Sequence, residues 1–343
     1  MTTRPRPRLP LFVSLAGYDR AWLRGDLLAG MTVWAVLVPE ALAYATIAGV
    51  SPVVGLYAAP GALLLYAAFG SSRHLVVGPM SATAALSAAA VAEVATPGGA
   101  GFAAHTTALA ITTGLLALAA GLLRLGFLAS FISEPVLKGF IIGLALTIVA
   151  GQLPDLFGVE GGGGNFFERL WGLLGDLGQT SATTLAVGLA SLGLVLGLRR
   201  FAPRVPGSLV AVLAGILAVG LGDLEAHGVG IVGQIDSGLP ALGPPDVAVD
   251  RYLALAPAAA GVMLVGFAEG LGAAKTYAAR AHYEVDANRE LVGLGAANLG
   301  AGLSSGMVVN GSLSKTAVNG AAGPARRSRG WSWPPSPSSP WRS

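Results

Sequence analysis

An all-α, polytopic membrane protein is the fold class this sequence predicts, and three observations predict it. Only 11% of its 343 residues are charged and 53% are hydrophobic, against roughly 25% charged in an average soluble domain. Apolar runs long enough to cross a bilayer, about 20 residues each, recur along the chain. The Lys and Arg between those runs fall on alternate sides. The same composition excludes other classes. Disordered chains are poor in apolar residues. With no cysteine there is no disulfide scaffold, no thiol nucleophile and no Cys-ligated metal. The net charge of +3 is small. In a membrane protein the position of charge matters more than its sum, so nothing points to nucleic acid. Of 21 basic residues only Lys138, Lys275 and Lys315 are lysine, which, with the Ala and Gly excess, suggests a GC-rich bacterial genome.

Residues 1–26 read as a cytoplasmic segment with an interfacial helix, Trp22 lying at headgroup level. The run from Leu9 to Gly17 is too short for a signal peptide, and Asp19 and Arg20 follow it directly. Full spans are expected at 27–48, 53–69, 106–124, 135–151, 181–198, 206–222, 255–274 and 291–304, with short apolar segments at 79–92 and 312–323. If the N-terminus is cytoplasmic and each segment crosses once, the inner segments carry 14 basic residues. The outer ones carry two, Arg169 and Arg251, beside ten acidic residues. That is the positive-inside pattern of a plasma-membrane protein, at every crossing. The glycines at 161–164 form an external loop, not a phosphate loop, since no Gly-Lys-Ser/Thr follows. Gly293-Leu294-Gly295 reads as helix packing through small residues. Asp246 and Asp250 belong to a solvated loop, and the four histidines sit singly at loops or span ends, without a metal-ligand cluster. No cofactor is implied.

Three charges remain inside spans, Glu40, Glu269 and Lys315. Each costs at least ~2.5–3.5 kcal/mol at the bilayer centre, so each is a functional candidate or one half of an ion pair. The short segments also resemble each other. Val76-Val77-Gly78-Pro79-Met80-Ser81 opens the first and Val308-Val309-Asn310-Gly311-Ser312 the second, 232 residues apart. Glu40-Ala41-Leu42-Ala43 and Glu269-Gly270-Leu271-Gly272 match at an offset of 229. An odd number of crossings separates the paired positions, so the repeats are inverted. Inverted repeats with short, Gly/Pro-interrupted spans are the mark of a secondary transporter. A half-helix that begins at the midplane turns its free N–H groups and positive dipole end toward an anion. Lys315 would add a full positive charge. A carboxylate beside such a site repels the anion unless protonated, so Glu40 is the candidate for proton coupling, with a salt bridge to Lys315 as the alternative.

The run Pro52-Val53-Val54-Gly55-Leu56-Tyr57-Ala58-Ala59, continuing to Leu64-Leu65-Tyr66 and Gly70-Ser71-Ser72-Arg73, closely resembles the signature of the SulP/SLC26 anion transporter family, with Val54 in place of the usual aromatic. Asp26-Leu27-Leu28-Ala29-Gly30-Met31-Thr32-Val33 and Val38-Pro39-Glu40-Ala41-Leu42-Ala43-Tyr44-Ala45 resemble its first span, where Gln is common at Glu40. Asn310-Gly311-Ser312-Leu313-Ser314-Lys315-Thr316 resembles its tenth helix, where Arg is common at Lys315. The resemblance covers about residues 20–323. It implies a seven-plus-seven inverted-repeat transporter fold with core and gate domains and an elevator-like mechanism, incomplete here after the tenth segment. The first repeat would occupy 27–225, with helices one to seven, and a partial second repeat 250–323, with helices eight to ten. It also implies secondary transport of a small anion, of the sulfate, bicarbonate or dicarboxylate class, with H+ or Na+ as the coupling ion and a homodimer as one assembly. The site implied lies between the starts of helices three and ten. It would comprise Glu40, Tyr44, Gly78, Pro79, Met80, Ser81, Ala82, Thr83, Glu269, Gly311, Ser312, Leu313, Ser314 and Lys315. A nucleobase–cation symporter of the same architecture is the nearest alternative. A membrane enzyme would need a nucleophile–base constellation, and no His lies within any span.

The family continues with four more helices and usually a cytoplasmic STAS domain, which residues 324–343 do not resemble, being rich in Pro, Ser, Arg and Trp. If GC-rich codons are assumed for that stretch, a one-base shift of frame near Gly323 turns it into an apolar run. A frameshifted tail is therefore expected, and with it a truncated, non-transporting fragment as a third reading of this chain.

Overall fold

In the computed structural model, the structure describes Phe12 and residues 20–99, 101–130, 134–161, 166–202, 205–231 and 238–322. The expected tail, most of the N-terminal segment and residues 162–165 lie outside these. The regular elements of the described chain are helices apart from two three-residue strands. In order it forms α1 (Leu23–Ile47), α2 (Pro52–Phe69), β1 (Val76–Gly78), α3 (Ser81–Ala92), α4 (Phe102–Leu122) and α5 (Glu134–Phe157). Then come α6 (Phe166–Asp176), α7 (Ala182–Phe201), α8 (Gly207–Gly222), α9 (Val249–Arg280), α10 (Ala287–Leu303), β2 (Asn310–Ser312) and α11 (Leu313–Ala322).

All ten expected segments are helices, with bounds shifted by a few residues. The largest difference is α9, which runs from Val249 to Arg280 and so continues beyond the expected 255–274 at both ends. Among the described residues six helices, α1, α2, α4, α5, α7 and α9, are long and apolar enough to cross a membrane. At 16 residues α8 is shorter, and α10 has 17. The expected full spans at 206–222 and 291–304 are therefore short ones. The sequence reading also missed α6, an amphipathic helix in the loop after α5.

The core is built by α1, α2, α3, α4, α9 and α10 with the strand pair, which supply most of the buried residues. Helix α10 is packed between α2 and α4, and small residues let it in close. A Cβ on Gly295 would lie 2.6 Å from Leu118 N, and one on Gly293 2.7 Å from Gly70 Cα. Gly293 and Gly295 thus do serve helix packing. By contrast α7 and α8 pack on each other and bury no residue. Their exposed face carries Leu189, Leu192, Leu196, Leu213, Ile216 and Leu217. Water would penalise that surface; hydrocarbon does not, because lipid tails are as apolar as Leu.

Candidate functional site

Each short apolar segment begins as a strand, and the two strands pair. β1 and β2 run antiparallel, with Val76 opposite Ser312, Val77 opposite Gly311 and Gly78 opposite Asn310. All six residues are buried. A helix follows each strand almost at once: α3 begins at Ser81 and α11 at Leu313, the same 232-residue offset that relates the two motifs. The strands answer a physical need. A chain that starts a helix inside a membrane must reach its start in extended form, and every N–H and C=O there needs a partner. Two such segments satisfy each other, and the register places both helix N-termini at the strand pair. The first-turn N–H groups of each helix have no intrahelical acceptor.

Lys315 ties the parts together. It is 1% exposed, and its Nζ lies 2.8 Å from Glu40 Oε2. It donates to Pro79 O at 2.9 Å and sits 5.1 Å above the Tyr44 ring. One ammonium therefore joins α11, α1 and the β1–α3 connection. The first turn of α11 is fixed from within. Ser312 Oγ accepts from Lys315 N at 3.2 Å and lies 3.1 Å from Ser314 Oγ. Thr316 Oγ1 donates to Ser312 O and accepts from Val76 N at 3.1 Å. At the start of α3, Thr83 Oγ1 donates to Met80 O at 3.2 Å. At the Gly78 end of the strand pair, Asn310 Nδ2 donates to Glu269 Oε2 at 3.3 Å, and Asn310 Oδ1 accepts from Gly311 N at 2.7 Å.

The structure thus brings Glu40, Tyr44, Pro79 and Lys315 into direct contact, and it places Glu269 against β2 through Asn310. Gly78, Ala82, Thr83, Gly311 and Ser312 are buried in the strands and first turns, and Met80 and Ser81 are half-buried. Leu313 is 54% exposed, so its side chain is not part of the cluster, and Ser314 is exposed as well.

Two polar residues escaped the sequence reading. Asn298 of α10 is fully buried. Its Oδ1 accepts from Val309 N at 3.0 Å, and its Nδ2 donates to Val309 O and Leu294 O, both at 3.0 Å. It clamps the residue that enters β2. The signal was an amide in the Gly/Ala stretch of a span, where a polar group persists only if it is bonded. Asn298→Ala leaves both polar groups of Val309 buried without partners. It is expected to cost about 2 kcal/mol, within the 1–3 typical of such groups, read as a lowered thermal midpoint in detergent. The second is Glu290, which falls between the expected spans 255–274 and 291–304; it lies in the first turn of α10 and is 3% exposed. Among the described residues it and Lys315 are the two fully buried charges, Glu40 and Glu269 being half-buried. Burial of Glu290 is tolerated because it accepts from Tyr66 Oη at 2.6 Å, Ser71 N at 2.8 Å, Ser71 Oγ at 2.6 Å and Ser72 N at 2.8 Å.

Residues 23–327 match the sequence profile of the sulfate permease family. The chain belongs to that family. Among relatives of the sulfate permease family, a probable sulfate transporter of Mycobacterium tuberculosis is 43% identical over 309 residues, covering 90% of this chain and 55% of the relative. Probable sulfate transporter 3.4 of Arabidopsis thaliana is 30% identical over 332 residues, covering 92% and 50%. The chain thus spans about half the length of the curated relatives it matches. The transmembrane domain of the cyanobacterial bicarbonate transporter BicA superposes with a TM-score of 0.78 at 26% identity, covering 91% of this chain and 80% of that domain. Murine solute carrier 26 member A9, an anion transporter solved in the inward-facing state, superposes with a TM-score of 0.84 at 22% identity, covering 94% and 58%. The fold is the all-α, inverted-repeat fold of these membrane domains, and the named relatives are transporters.

Proposed function

We propose that this chain is the membrane-embedded part of a secondary transporter that holds a small oxyanion between the N-termini of α3 and α11. The reading rests on the paired half-helices with the Lys315 ammonium between them. Glu40 and Pro79 O take two of that ammonium's three donors; the third, with the first-turn N–H groups, would receive the anion. Sulfate, bicarbonate and dicarboxylate all present the required oxygens, and the names of the relatives support the first two. Nucleobases do not call for a buried cation, which disfavours the symporter reading. Alternating access would follow from movement of the core helices α1–α4 and α9–α11 against α5, α7 and α8 in an elevator-like step. The N-terminus would be cytoplasmic and the membrane bacterial.

Charge counting supports a place for the coupling ion. Glu40 and Lys315 cancel. Among the described residues no cationic side chain pairs with Glu269, whose carboxylate is met by the Asn310 amide. With all three ionised the site carries one negative charge and opposes an anion. A proton or Na+ taken up at Glu269 removes that charge, so we place coupling at Glu269 rather than at Glu40. The sign follows: a proton that must bind with the anion makes anion binding tighter in acid. Equilibrium binding of radiolabelled sulfate to the purified chain tests this. The unaltered chain should bind more tightly in acid than in alkaline buffer without Na+, and unlabelled sulfate but not uracil should compete. Glu269→Gln should bind with the same affinity in both buffers. A pH dependence retained by Glu269→Gln would remove Glu269 from the coupling step, and competition by uracil would reverse the substrate assignment.

A further inference from the structure

We propose that Glu290 is a positioning residue that sets the place of β1, and through it the place of Pro79, in the site described above. The inference rests on that reading only for its consequence on anion binding. Two residues lie between the end of α2 and Ser72, and three between Ser72 and β1. This turn has no helix or strand of its own to fix it. Glu290 holds its first half: Oε1 takes Ser71 N, Ser71 Oγ and Ser72 N together. Ser72 holds the second half, its Oγ accepting from Leu75 N at 3.2 Å and from His74 N at 3.4 Å. The Tyr283 hydroxyl lies 3.1 Å from Ser72 Oγ and accepts from Arg73 N at 3.2 Å. Burial raises the Tyr283 phenol above its ordinary range, so the hydroxyl keeps its proton. From Leu75 the chain runs straight into β1 and on to the Pro79 carbonyl that Lys315 binds. A carboxylate on α10 thus aims a strand that α10 does not contain.

Tyr66 provides the control. Its hydroxyl bonds the other oxygen, Glu290 Oε2, from α2, and it also faces the Ser72 backbone, which Glu290 Oε1 holds at 2.8 Å. Tyr66→Phe therefore disturbs the buried carboxylate and leaves the three Oε1 bonds to Ser71 and Ser72 in place. The experiment uses the full chain in detergent, with hydrogen exchange followed on peptides over residues 71–80 and 102–122 and sulfate binding measured on the same samples. In Glu290→Ala, exchange over 71–80 should quicken about tenfold or more while 102–122 is unchanged, and sulfate affinity should fall about tenfold. Glu290→Gln keeps an oxygen for Ser71 and Ser72 and presents an amide to Tyr66 Oη, which can accept; it should restore both readouts. Tyr66→Phe should lower the thermal midpoint, quicken exchange over 71–80 by less than Glu290→Ala does, and leave sulfate affinity unchanged. If Glu290→Ala does not fold, Glu290→Asp, one methylene shorter, replaces it, and the same two changes are expected at smaller size. Uniform quickening across both peptides, or unchanged exchange over 71–80, overturns the positioning role. Selective quickening over 71–80 in a chain that does not bind sulfate at all leaves the positioning role standing and removes the anion assignment instead.

Discussion

Lys315→Met is expected to abolish sulfate binding and to destabilise the chain by roughly 3 kcal/mol, the low end of the range for breaking a buried ion pair. Methionine is unbranched like lysine and one atom shorter, so it keeps the packing of the stem and removes chiefly the ammonium charge. Without it the Glu40 carboxylate loses the ammonium at 2.8 Å, and Pro79 O loses its donor at 2.9 Å. The pair is lopsided, Lys315 being 1% exposed and Glu40 22%, so water reaches the carboxylate and holds the cost near the lower bound. Glu40→Gln in the Lys315→Met background should recover most of the stability, because the orphaned charge is gone. It should not recover binding, because the positive charge between the half-helices is still missing. Lys315→Arg should retain binding at reduced affinity, since its planar fork keeps the charge but not the compact geometry of an ammonium. Thermal unfolding in detergent and equilibrium sulfate binding report the two effects separately. Sulfate bound by Lys315→Met as tightly as by the unaltered chain would dismiss this cluster as the anion site.

The positions of the helices were legible because their physics is one-dimensional. Length and apolarity mark α1, α2, α4, α5, α7 and α9 whatever surrounds them, and alternation of basic residues orders the loops. The two short segments were legible through repetition, since the equal offset of Ser81 and Leu313 is written in the motifs before it is seen in the helix starts. The pairing of β1 with β2 was not legible. Three-residue strands have no periodicity to read, and the partner of Val76 lies 236 positions on, at Ser312. The contact between Glu40 and Lys315 was raised as an alternative from the scarcity of buried charge. Glu290 was missed for the opposite reason: it stands one turn from Asp286 and beside Arg289, in what reads as a solvated segment. Burial came from the turn at 71–72 folding over it, a tertiary event that no local pattern announces. Asn298 did carry a signal, an amide in a Gly/Ala-rich span, but nothing local in it names Val309 as the partner.

Gly55→Ala is expected to weaken the anion site without touching it, and to cost about 1–3 kcal/mol as an overpacked core position does. Gly55 lies near the start of α2, where a Cβ would fall 2.0 Å from Ala41 O, 2.7 Å from Ala41 C and 3.2 Å from Ala45 Cβ. The obstacle is the backbone of α1, which has no rotamer to change, so α1 and α2 must part by about an ångström or more to restore ordinary contact. Ala41 follows Glu40 directly. Any shift of α1 at this point is carried to the carboxylate, and Lys315, held by Pro79 O and by the first turn of α11, does not follow. The ion pair lengthens, Glu40 gains solvation, and the ammonium is drawn from the half-helix ends. A control lies in the same helix. Gly30 in α1 has nothing within 4 Å of its Cβ position, so Gly30→Ala should be neutral, or stabilise by up to about 1 kcal/mol through helix propensity. If Gly55→Ala lowers the thermal midpoint but leaves sulfate affinity unchanged, the spacing of α1 and α2 does not govern the placement of Glu40. If both fall together while Gly30→Ala changes neither in that direction, the site is set by how closely the two helices approach, and the glycine in the Pro52–Tyr57 motif is there to permit it.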